Sequence, residues 1–144
     1  MPNHVIHASG FHVNLSPDLF RRHARQYLEC HRAYKPVAGY SPVPYFLLCR
    51  AIELALKAHH LQTKSRTQVK KLYSHNLSAL YRDLPSALKL LTVAETTLLD
   101  TASAKYDVPN KGFEYVSLED ILTAQSAFPE LSALEALAAR LVEA

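Results

Sequence analysis

From Pro44 to Lys64 the chain alternates with a helical rhythm: Leu47, Leu48, Ala51, Ile52, Leu54, Ala55, Leu56, Ala58 and Leu61 are apolar, while Arg50, Glu53, Lys57, His60 and Lys64 recur at spacings of three and four. Residues so spaced share one face of a helix, and here the polar face spans only roughly 80°. The pattern predicts a central core helix from Pro44 to about Gln62, apolar over most of its circumference.

The same rhythm marks further helices. Ser16-Pro17-Asp18 has the chemistry of a helix start, and Phe20, Ala24, Tyr27, Leu28, His31 and Tyr34 then follow one face, which predicts a first helix from Pro17 to Tyr34. Lys35 to Pro44 holds three Pro and Gly39 and reads as a connection. Thr63 to Ser74 is polar and basic and reads as a loop with some helical character. Asn76 or Ser74 can cap a helix whose Leu77, Leu80, Tyr81 and Leu84 face inward until Pro85 stops it. Thr92 and Glu95 form a T-x-x-E capping box that opens a helix from Val93 to about Lys105. Beyond a turn-rich stretch from Tyr106 to Val116, Ser117 and Asp120 predict a short helix ended by Pro129, and Leu131, Leu134, Leu137, Ala138 and Leu141 predict a terminal one. No period-2 strand pattern runs for more than a few residues. The expectation is one all-α domain over residues 1–144, a helical bundle of five or six helices with an irregular segment at 1–15.

Composition sharpens this picture in three ways. With 144 residues, 49% apolar and only three Gly, the chain can bury a proper core. No apolar run approaches the roughly eighteen residues of a membrane span, and Met1 to Gly10 lacks the apolar region of a secretory signal. Cys30 and Cys49, alone on two predicted helices, read as reduced core thiols, which makes a cytoplasmic location the default. Charge is uneven: residues 1–89 carry thirteen Lys or Arg against four Asp or Glu, whereas 90–144 carry three against nine. Such halves offer a basic face to phosphates, or attract one another within the fold or across a dimer, or are simply solvated helix faces, the plainest of the three readings.

The candidate chemistry is sparse. Lys64, Arg66, Lys70 and Lys71, with Lys57, His60 and Tyr73 close by, make the best ligand-binding surface: the cations can pair with phosphates and Tyr73 can stack on a base. Glu53 and Lys57 form an i,i+4 pair, and together with His75 make a polar cluster whose simplest role is structural. His4, His7 and His12, or the adjacent His59 and His60, lack Cys or carboxylate partners at ligand spacing, so neither a metal nor a cofactor is expected.

Glu53-Leu54-Ala55-Leu56-Lys57-Ala58, a basic spacer, and then His75-Asn76-Leu77 with Leu80 resemble a pattern of the HEPN (higher eukaryotes and prokaryotes nucleotide-binding) superfamily, with Asn76 where that pattern commonly has Asp. The resemblance covers about a third of the chain. It implies a helical bundle, often a homodimer, of the kind found in RNA-cleaving toxins, nucleotidyltransferase partners and non-catalytic helper domains, with a protein partner encoded nearby. Nuclease members carry Arg, then His after four to six residues, late in the fold; here no His follows His75. Only Arg25 and His31, on the first helix, meet the spacing. The leading expectation is therefore phosphate-directed binding of RNA or nucleotide without cleavage. The alternatives are a metal-independent ribonuclease using Arg25 and His31, and a purely structural or protein-interaction module.

Overall fold

Every residue from Ala51 to Leu56 is buried, Glu53 included, so the middle of the richest apolar segment sits inside the protein on all sides. This is α2 (Val43–His60) of the computed structural model, which describes residues 16–36, 38–107 and 128–144. Around α2 pack α1 (Ser16–Ala33), α4 (Leu77–Arg82), α5 (Val93–Tyr106) and α6 (Leu131–Val142), while α3 (Arg66–Tyr73) leans on α4. A 3-10 turn at Ser86–Leu88 completes the elements. The protein is all-α, with no strand among the described residues.

Local chemistry explains the boundaries. Pro44 stands in the first turn of α2, where its missing N–H costs nothing, and Gly39 in the preceding connection has φ +92°, a conformation open to glycine. Asn76 caps α4 by accepting from the Ala79 N–H at 3.0 Å, and Thr92 and Glu95 form the capping box of α5. The terminal helix begins at Leu131. The helix expected from Ser117 to Pro129, and the segment 1–15, lie outside the described residues.

The stretch read from sequence as a loop, Thr63 to Ser74, is corrected: most of it is α3. Ser65 and Gln68 form a reciprocal capping box, with Gln68 N–H donating to Ser65 Oγ at 3.1 Å and Ser65 N–H to Gln68 Oε1 at 2.8 Å. Val69 and Tyr73, one turn apart, are buried and anchor the helix. It stops at Ser74, whose φ of +48° is rare for a residue with a Cβ and turns the chain sharply toward α4.

The opposed charges of the two halves meet across the fold. Arg32 on α1 reaches Glu135 (3.4 Å) and Glu143 (3.3 Å) at α6, and Arg82 on α4 reaches Asp100 (3.1 Å) on α5. These pairs are largely exposed and each contributes little to stability. Both cysteines are free thiols; Cys30 is exposed, and Cys49 is buried, which together with nearby Glu53 pushes its thiol pKa up.

Glu130 precedes α6 and accepts from the N–H groups of Ser132 and Ala133 as well as the Ser132 hydroxyl. Those hydrogen bonds, led by the hydroxyl, hold its carboxyl below the ordinary glutamate value. A depressed carboxylate stabilises the fold above its unfolded pKa and loses that contribution as pH falls through the folded one. The acid limb of unfolding should therefore be shallower in Glu130→Gln than in the wild type when both are followed by circular dichroism below pH 4.5.

Candidate functional site

Glu53 has no solvent exposure, and four side chains from three parts of the chain converge on its two oxygens. Oε1 accepts from His75 Nδ1 and lies 3.5 Å from Lys57 Nζ; Oε2 accepts from the Arg50 guanidinium and from the Tyr106 hydroxyl at 3.3 Å. Arg50, Glu53 and Lys57 are three and four residues apart on α2, which stacks them on one face. His75 arrives from the turn after α3, and Tyr106 is the last residue of α5. The His75 and Tyr106 rings meet edge to face at 5.8 Å. A carboxylate buried this deeply needs such partners, because desolvation would otherwise outweigh any gain.

The two cations respond differently. Burial pushes the Lys57 ammonium pKa down, more than the attraction of Glu53 raises it. For Arg50 burial acts the same way, but Glu53, with Tyr106 and Tyr27, outweighs it and the pKa rises. Burial, then Glu53, pushes the Tyr106 phenol up, so it serves the carboxylate as a donor.

Above this cluster opens a groove of about 500 Å³. One residue per turn of α2 forms its floor: Arg50, Leu54, Lys57 and Leu61. Arg66, Val69 and Lys70 of α3 form one wall, the Ser74–His75 turn closes one side, and Phe20 of α1 contributes an aromatic face, with the Arg66 guanidinium 5.8 Å from its centroid. No Asp or Glu lines it among the described residues.

The structure therefore brings together Glu53, Lys57 and His75, and sets Arg66 and Lys70 beside them. Lys64 and Lys71 do not line the groove. Tyr73 is corrected: it cannot stack on a ligand base, because its ring is buried 4.6 Å from that of His60 and its hydroxyl donates to Asp83 at 3.0 Å. His60 likewise leaves the basic surface; it is buried and its Nε2 donates to the Leu80 carbonyl at 2.8 Å. Arg25 and His31 do not converge. Six positions along α1 set them about 9 Å apart on the axis and roughly 120° around it. His31 faces a separate cavity of about 290 Å³ at α6, its Nε2 3.7 Å from Glu135, while Arg25 is exposed.

Sequence reasoning missed Tyr106, which it took for the start of a turn, and Phe20, which it counted only as core. Arg50 stood in the polar stripe, three residues before Glu53, and that spacing was the available signal. Among the described residues no three His, Cys, Asp or Glu cluster as metal ligands, and no helix is long and apolar enough to cross a membrane. No family model matches the chain, and neither does any curated protein or solved structure.

Proposed function

We propose that the groove between α2 and α3 binds the phosphates of RNA or of a nucleotide. One observation carries this reading: Arg50, Lys57, Arg66 and Lys70 line a single concavity whose lining, among the described residues, holds no carboxylate, with that of Glu53 buried beneath it. Cations so grouped repel one another, and a bound polyanion relieves that repulsion while releasing counterions. Phe20 and the aliphatic side chains of Leu54 and Leu61 supply an apolar surface for a base, and the volume suits a ligand of nucleotide size. The HEPN-like pattern of Glu53, Lys57 and His75 points the same way. A toxin–antitoxin or nucleotidyltransferase setting rests on that resemblance alone, and a homodimer on the resemblance together with the opposed charges of the two halves.

The test is fluorescence anisotropy with a single-stranded RNA oligomer across a salt series. Affinity should fall steeply with salt, and the double variant Arg66→Gln with Lys70→Gln should flatten the slope by about 1.4, two contacts at ~0.7 each. At low salt it should bind about tenfold more weakly, as befits two exposed contacts of up to about 1 kcal/mol each. Displacement of the oligomer by a 5′-mononucleotide would identify a nucleotide pocket, and its persistence a track for the RNA backbone. Binding that ignores salt, or a double variant that binds like the wild type, would sink the proposal.

A further inference from the structure

We propose that His75 is a phosphoryl acceptor, its Nε2 taking a phosphoryl group from a small phosphoramidate-type donor held in the cationic groove. This goes beyond RNA binding. It shares with that reading the groove as a phosphate cradle and does not require RNA as the ligand.

The tautomer comes first. A carboxylate only accepts hydrogen bonds, so the Nδ1 that meets Glu53 must carry the proton, and the lone pair of the neutral ring is then on Nε2. Orientation follows from the same contact: Nδ1 is tied to a fully buried side chain at the centre of α2, while Tyr106 flanks the ring. The imidazole is nevertheless 55% exposed, so its outer edge is open to a reactant. Two of the other described histidines, His60 and His31, differ. His60 spends its Nε2 on the Leu80 carbonyl in the interior, and the His31 side chain is only 9% exposed.

The surroundings fit the product. A phosphoryl group brings a charge of about −1.5 to −2, and Lys57, Arg50 and Lys70 line the groove into which it would project. Lys57 Nζ lies 3.5 Å from the very oxygen that accepts from His75. Preplaced cations of this kind stabilise charge on transferring phosphoryl oxygens without reorganising.

The step balances without a metal or redox partner. The Nε2 lone pair forms an N–P bond as the P–N bond of phosphoramidate breaks, and the departing pair leaves on the donor nitrogen as ammonia. That nitrogen is already protonated in the donor, so no proton need move. Its positive charge passes to the imidazole ring, directly opposite the Glu53 carboxylate.

Incubating the full chain with potassium phosphoramidate at neutral pH tests this, with intact mass and fragment mapping as the readout. His75 should gain one acid-labile, base-stable phosphoryl group about tenfold or more faster than the other histidines. His75→Gln should lose that fast phase. Labelling spread evenly over the histidines, or unchanged in His75→Gln, would overturn the proposal. Glu53 acts here as a positioning residue. In Glu53→Gln, whose amide oxygen still accepts from Nδ1, the fast labelling of His75 should persist, whereas in Glu53→Ala it should fall to the rate of the other histidines in protein that remains folded. A purely structural Glu53 would lower the melting temperature in both variants and leave the His75 labelling rate of the folded protein unchanged. Selective labelling without salt-sensitive RNA binding defeats only the RNA reading; RNA binding without selective labelling defeats only this one.

Discussion

Replacing Glu53 by Ala should cost about 3 kcal/mol of folding free energy, the low end of what removal of one partner from a buried charge cluster costs. The carboxylate has no exposure, and its loss strands two cations, a phenol and an imidazole that all point at the vacated space. The low end applies because water still reaches the cations: Arg50 keeps 32% of its side-chain exposure and Lys57 keeps 12%. For a chain of this size that loss lowers the melting temperature by about 10 °C. Paired thermal and urea unfolding would measure it, with Glu53→Gln losing less because the amide oxygen still accepts. If Glu53→Ala unfolds within 1 kcal/mol of the wild type, the cluster is not what joins α2 to the α3–α4 turn.

A loss of about 3 kcal/mol is also expected for His60→Ala, by a different route: a cavity in place of a buried ring, and an orphaned Leu80 carbonyl. Its effect should also be local. Tyr73 rests on the His60 ring and bonds Asp83, so one contact chain fastens α2, the end of α3 and the end of α4. Breaking it should speed amide exchange in α3 and α4 more than in α6 and weaken RNA binding, since Arg66 and Lys70 ride on α3. His60→Gln, which keeps a donor, should recover part of the loss. Uniform acceleration of exchange throughout the molecule would contradict the local fastening.

What the sequence made legible was what helical period and capping chemistry encode. The apolar run from Leu47 to Leu61 announced α2, Thr92 with Glu95 announced α5, and Asn76 announced α4, because each signal is complete within a turn or two. For α3 the signal was present but faint: Ser65 and Gln68 make the same kind of box, yet only Val69 and Tyr73 turn inward amid three Lys or Arg, and the polar composition dominated the reading. The stripe of Arg50, Glu53, Lys57, His60 and Lys64 was correctly placed on one face. Its environment was not legible, because that depends on what folds over it. Here α3 and α4 do so, which buries Glu53 and His60 and leaves Lys57 as part of a groove floor. Tyr106 reaches Glu53 from 53 positions away, a contact no local pattern contains. Opposed charge in the two halves, by contrast, did reflect contacts across the fold at Arg32 and Arg82.

The left-handed turn at Ser74 bears on how chains of this design can vary in length. Ser65 fixes where α3 starts and Ser74 where it stops, so the spacing between the Arg66 and Lys70 side chains and His75 is a counted number of residues. Adding or deleting one residue inside α3 would rotate everything after it by about 100°, swinging the imidazole away from the interior acid. The Lys35–Ser41 connection answers to no such count. Natural length variation that preserves the groove should therefore gather there and be excluded from the eight residues of α3.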